Sequence, residues 1–70
     1  MKIGEVGEIA KRHAERMGLR NVTIETIDWH FNSLAKQEYW SVDVKSDSGT
    51  YSVQVYESGN VTSWKRKGIQ

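Results

Sequence analysis

Tyr39-Trp40-Ser41-Val42-Asp43-Val44-Lys45-Ser46-Asp47-Ser48-Gly49-Thr50-Tyr51-Ser52-Val53-Gln54-Val55-Tyr56 is the stretch that decides the fold. In residues 39–45, Trp40, Val42 and Val44 take alternate positions; in residues 50–56, Tyr51, Val53 and Val55 do the same. A period of two places each set on one face of a strand. Ser46-Asp47-Ser48-Gly49 between them is a turn, with its glycine where a positive φ is expected. Pairing Lys45 with Thr50 sets Val44 opposite Tyr51, Val42 opposite Val53 and Trp40 opposite Val55. All the apolar residues then share one face. A slip of one residue turns them all outward, so the pattern itself selects the register.

Toward the C-terminus, Glu57-Ser58-Gly59-Asn60 reads as a second turn and residues 61–66 as a further strand. With Tyr56 paired to Val61, Val55 faces Thr62 and Val53 faces Trp64. On that register Trp64 joins Trp40 in the core. The tail Lys65-Arg66-Lys67-Gly68-Ile69-Gln70 is basic.

Toward the N-terminus, residues 21–31 read as a strand with a defect. Val22 and Ile24 share one parity, and Ile27, Trp29 and Phe31 the other. A bulge near Glu25-Thr26 brings all five to one face. Residues 32–38 make a polar connection. Residues 4–17 read as a helix, with Val6, Ile9, Ala10, Ala14 and Met17 on one stripe and His13 on the same side. Glu5 and Glu8 near its start, and Lys11, Arg12 and Arg16 toward its end, suit the helix dipole. Gly18 supplies the left-handed stop, from which Leu19 folds back toward Ala14. Gly7 inside the helix costs on the order of 1 kcal/mol relative to alanine. The expected fold is a single α+β domain over residues 1–70: one N-terminal helix packed on one face of a four-stranded antiparallel meander, with strands at 21–31, 39–45, 50–56 and 61–66.

Composition narrows the class. A chain of 70 residues buries only about 60% of its unfolded surface. It has no cysteine, so three Trp, three Tyr and one Phe take the place of staples. Ten basic and nine acidic residues give a net charge of +1, a balance that is no electrostatic footprint for nucleic acid. No apolar run approaches the roughly 20 residues of a membrane span. Met1-Lys2-Ile3-Gly4-Glu5-Val6 lacks the continuous apolar stretch of a secretory signal, so the expectation is a cytoplasmic chain.

Tyr39-Trp-Ser-Val-Asp-Val-Lys, Gly49-Thr-Tyr-Ser-Val-Gln-Val and Gly59-Asn-Val61, preceded by Glu8-Ile-Ala and Met17-Gly18, together resemble the PepSY-like domains. The shared features are a helix, a glycine stop, a hairpin of alternating valine and aromatic residues, and a closing Gly-x-Val turn and strand. The resemblance implies a binding or inhibitory module of a kind often found beside extracytoplasmic peptidases. The missing secretory signal departs from that setting. Cystatin-like folds also lay a helix on an antiparallel sheet, but Gln54-Val55-Tyr56-Glu57-Ser58-Gly59 departs from their Gln-x-Val-x-Gly loop. The protease-blocking role is not carried over.

Catalytic and cofactor signatures are missing from the sequence. There is no Gly-x-Ser-x-Gly elbow, phosphate loop or dinucleotide fingerprint, and no nucleophile–base pair stands out. His13, Asp28 and His30 are the candidates for a metal, but His13 belongs to the helix stripe and the other two to the opposite side of the sheet. A metal needs three or four converging ligands, so none is expected. Asn21-Val-Thr and Asn60-Val-Thr match a glycosylation acceptor, yet each is also an asparagine at a turn followed by the start of a strand.

Two surfaces remain. Parity turns Tyr39 and Tyr56 away from the helix and opposes them directly, with Val61 beyond Tyr56 and Ser41, Asp43, Ser52, Gln54 and Ser63 around them. An aromatic cluster among small polar groups suits protein recognition. The other is a basic set of Arg12, Arg16, Arg20, Lys65, Arg66 and Lys67, with Trp64 placed to stack a base. The resulting expectation is a non-catalytic binding or regulatory module without a cofactor. It acts through the open face or edge of its sheet on a partner protein or a second copy; the alternative is weak nucleic-acid binding through Arg12, Arg16, Trp64, Lys65, Arg66 and Lys67.

Overall fold

The computed structural model describes residues 1–66 and consists of α1 (Ile3–Arg16), β1 (Thr23–Asn32), β2 (Gln37–Ser46), β3 (Gly49–Tyr56) and β4 (Val61–Lys65). The strands form one antiparallel sheet in the order β1-β2-β3-β4, and α1 packs across β1, β2 and β3 on one side. This is the α+β architecture the alternation and the helix stripe imply.

The core is built from small apolar side chains. Val6, Ala10 and Ala14 of α1 press on Trp40, Val42 and Val44 of β2 and on Val53 and Val55 of β3, all buried. Ile9, Leu19, Val22, Ile24, Ile27 and Val61 close its margin. The two alanines bring the helix close to the sheet, and valines suit a pleated, buried surface. Met17, expected on the stripe, is instead the C-cap of α1 and is exposed. The helix stops one residue earlier because Gly18 takes φ +91°. The Gly18 amide then donates to the Glu15 carbonyl at 3.0 Å, and the Leu19 amide to that of Ala14 at 3.2 Å. That pair of bonds is a Schellman motif and carries Leu19 back onto the core.

The β2–β3 ladder has the expected register throughout, from Lys45 opposite Thr50 to Tyr39 opposite Tyr56. The β1–β2 ladder shifts between Ile24 and Thr26. The extra residue, Glu25, puts Ile24 opposite Val44 and Ile27 opposite Val42, both on the helix side. The connection after β1 is tighter than expected. Asn32 Oδ1 accepts the amides of Leu34 and Ala35 at 3.0 and 3.1 Å, so the polar link shrinks to residues 33–36 and β2 begins at Gln37.

The β3–β4 register differs from the expectation. Val55, not Tyr56, pairs with Val61; Gln54 pairs with Thr62, Val53 with Ser63 and Ser52 with Trp64. The cause lies in the turn. Gly59 N donates to Tyr56 O at 2.8 Å, Tyr56 N donates to Asn60 O at 2.9 Å, and Gly59 has φ +97°. This is a type I turn closed by a left-handed glycine, a three-residue hairpin loop rather than a four-residue one. One residue fewer in the loop reverses the facing of every side chain after it. Trp64 therefore lies on the side away from α1 and is 49% exposed, whereas Trp40 is only 6% exposed. Val61 moves the other way, onto the helix side against the core. Arg66 N still donates to Thr50 O at 2.9 Å, which keeps the strand's end against β3.

Trp29 and Phe31 stand on the helix side yet are exposed, 57% and 53%. Position explains it. β1 is the outer strand of the sheet, and Trp29 is exposed although Trp40, directly opposite it, is nearly buried. Phe31 lies one row further out, opposite the exposed Glu38, and the two rings stack on each other with centroids 6.4 Å apart.

Candidate functional site

The sheet face opposite α1 has no second layer over it among the described residues. Its side chains form cross-strand rows. The first row is His30, Tyr39 and Tyr56, one residue from each of β1, β2 and β3. His30 stacks on Tyr39 with centroids 5.0 Å apart and planes 16° apart; Tyr39 stacks on Tyr56 at 5.3 Å and 29°. The hydroxyl of Tyr56 donates to Gln54 Oε1 at 2.9 Å, which fixes the outer ring. The second row is Asp28, Ser41, Gln54 and Thr62; the third is Thr26, Asp43, Ser52 and Trp64. Ser52 is buried although it faces outward, flanked in its row by Asp43 and Trp64. Arg66 Nη1 donates to Asp43 Oδ2 at 2.7 Å, so the charge at this end is neutralised.

Of the residues expected on this face, Tyr39 and Tyr56 are brought together and Val61 is not. Val61 lies opposite Val55 and packs on the core side. Ser63 also turns to the helix side. The residue missed by sequence reasoning is His30. Carrying the β2 register across the Glu25 bulge places Trp29 opposite Trp40 and therefore His30 opposite Tyr39, so the third ring was within reach of the pattern.

The basic set does not assemble. Arg12 and Arg16 lie on α1, beyond the opposite face of the sheet from Trp64, and Arg12 Nε is paired with Glu8 Oε1 at 3.2 Å. Lys65 pairs across from Tyr51 on the helix side, while Arg66 holds Asp43. Lys67 lies outside the described residues. Asp28 and His30 share the open face and His13 lies on the other. Among the described residues no group of three or more His, Asp or Glu side chains is placed to hold a metal ion.

Under the helix, the corrected register creates one contact between a serine and a histidine. Ser63 Oγ lies 3.0 Å from His13 Nε2 and 3.3 Å from Met17 Sδ. A hydroxyl has one proton, so whether Ser63 donates to the imidazole or accepts from it follows the tautomer of His13. With either tautomer the contact ties the end of α1 to β4. A shallow groove on α1, lined by Gly4, Glu5, Glu8, Ile9 and Arg12, is open to solvent, and two of its residues, Glu8 and Arg12, pair with each other. No helix among the described residues is long and apolar enough to cross a membrane.

No protein-family model matches this chain, and neither the curated proteins nor the solved structures contain a match to it.

Proposed function

We propose that the chain is a small non-catalytic binding or regulatory module whose working surface is the open face of its sheet and whose ligand is a partner protein. The observation that carries this reading is the stacked row His30–Tyr39–Tyr56 on a face with no second layer. Three rings held against each other offer a flat contact surface with little rotamer freedom left to lose on binding. Ser41, Gln54 and Thr62 beside them supply hydrogen-bonding groups, and the Arg66–Asp43 pair leaves the surface without a strong field of either sign. A chain without cysteine suits a reducing, cytoplasmic setting. The test is affinity capture from native lysate with the wild-type chain and the Tyr39→Ser/Tyr56→Ser double variant as paired baits. Proteins retained by the first and lost by the second support the reading. An identical retained set removes the open face as the working surface.

A second reading is favoured by one observation, the placement of Trp64 and Arg66 on the same open face as the tyrosines. Aromatic side chains on an open sheet can stack unpaired bases. Titration with a single-stranded oligonucleotide at low and high salt separates this from protein recognition, because phosphate contacts weaken steeply as salt rises.

A further inference from the structure

β1 is an edge strand, and it carries almost none of the devices that keep edges apart. It is 10 residues long, contains no lysine or proline, and exposes Trp29 and Phe31 on one face. The other edge, β4, is half that length and carries Lys65. Natural sheets blunt their edges with short strands, lysine, proline or bulges. The single bulge of β1, at Glu25, lies near its start and leaves Thr26–Asn32 regular and unpaired on its outer side.

We propose that Thr26–Asn32 pairs antiparallel with the same segment of a second copy of this chain, about a two-fold axis at Trp29. Symmetry limits the choices. Two identical antiparallel strands in one sheet are related by an axis normal to the sheet, so one residue must face its own copy. Centring on Asp28 sets two carboxylates directly opposite each other, which is destabilising. Centring on Thr26 or Ile27 runs the ladder into the Glu25 bulge. Centring on His30 leaves Thr26 and Ile27 without partners. Centring on Trp29 uses the whole regular segment. Trp29 then faces Trp29 of the second copy, Ile27 faces Phe31, and Thr26 faces Asn32. On the open side Asp28 faces His30, twice by symmetry, a carboxylate acceptor opposite an imidazole N–H donor, and this pairing selects the register. The exposed ring of Trp29 is covered by the same ring of the other copy and that of Phe31 by Ile27 of the other copy, and the result is one continuous eight-stranded sheet with both helices on one side. The backbone edge of β1 carries this inference and the Tyr39–Tyr56 pair carries the binding role proposed above; the two meet at His30, and the Tyr39→Ser/Tyr56→Ser variant leaves the edge itself unchanged.

The chain contains no cysteine, which makes the register directly testable. In the wild type, light scattering over a concentration series is expected to move from the mass of one chain toward that of two. Asp28→Lys, which sets a lysine opposite His30, is expected to shift that transition to higher concentration. Trp29→Cys, at the self-facing position, is expected to form a disulfide-linked dimer under mild oxidation faster than Leu34→Cys, a position 97% exposed but outside the strand. Trp29 is more than half exposed, so the replacement spares the core. A wild-type chain of single mass at every concentration overturns the proposal. So does a Leu34→Cys variant that cross-links as fast as Trp29→Cys.

Discussion

Tyr39 stands directly opposite Tyr56 across the β2–β3 ladder, and His30 continues the same stack on the other side of Tyr39. Stacked pairs of this kind contribute about 0.2–1 kcal/mol each. Replacing both tyrosines by serine removes two pairs, so the melting transition should fall by no more than roughly 2 kcal/mol of stability while the helix packing stays intact. Thermal melting checks the first part and circular dichroism the second. A variant that unfolds outright means that the row supports the core and is not a free surface.

Trp40 and Trp64 should respond oppositely to truncation. Trp40 is nearly buried among Val6, Val42 and Val55, and Trp40→Ala should cost roughly 3–5 kcal/mol, close to the whole stability of so small a domain. Trp64 is half exposed on the open face, so Trp64→Ala should cost only about 1 kcal/mol, the share of a large side chain that is half out of water. Chemical denaturation of the two variants decides it. Equal losses contradict the three-residue loop at Gly59, because they place both rings in the core.

That contrast marks how far the residues themselves could be read. The β2–β3 ladder was legible because alternation and turn length agree at Ser46–Gly49, and the Glu25 bulge because five apolar residues change parity there. The β3–β4 register was not legible from parity alone. Val61, Ser63 and Lys65 alternate with Thr62 and Trp64, and neither set is clearly the apolar one, so only the conformation of Gly59 decides. The same slip hid the Ser63–His13 contact and moved Val61 out of the candidate site. The exposure of Trp29 and Phe31 was hidden for another reason. Their parity was right, but β1 is the outer strand of the sheet, and the layer that buries Trp40 does not cover Trp29 directly opposite it.

His13 Nε2 and Ser63 Oγ hold the C-terminal half of α1 to β4. The tautomer of His13 decides which group donates: an Nε2-protonated ring donates to Ser63 Oγ and leaves its proton for Met17 Sδ, whereas an Nδ1-protonated ring accepts from Ser63. Nitrogen-15 shifts of the ring read this directly. Ser63→Ala should cost about 1 kcal/mol, the net worth of one hydrogen bond, and leave the strand order unchanged.

Gly7 and Gly59 should respond to alanine with opposite signs. A Cβ on Gly7 meets Ile27 Cδ1 at 3.5 Å, an ordinary contact, and alanine is the better helix former, so Gly7→Ala should raise stability by about 0.5–1 kcal/mol. A Cβ on Gly59 meets nothing within 4 Å, but φ is +97°, so Gly59→Ala should lower stability by roughly 1–2 kcal/mol for conformational reasons alone. Melting curves of the two variants suffice. A stabilising Gly59→Ala would mean that the β3–β4 turn has another form.

The separation of the basic residues leads to a final expectation. A nucleic-acid footprint needs several free cations on one surface, since affinity follows the number of phosphates neutralised. Here Arg12 is held by Glu8 on the helix, Arg66 is held by Asp43 on the open face, and Lys65 points to the helix side. Freeing Arg66 for a phosphate means giving up a 2.7 Å pair with a carboxylate that is only 26% exposed. An oligonucleotide titrated at low salt should therefore leave the Trp64 indole and the Arg66 side-chain resonances unmoved. The Lys65→Gln/Arg66→Gln/Lys67→Gln variant should keep whatever protein partners the wild type captures. Should the indole shift, and should the shift vanish both with added salt and in the triple variant, then Trp64 stacks a base and the open face serves nucleic acid. A shift that survives salt and the triple variant instead reports stacking at Trp64 that needs no cation beside it.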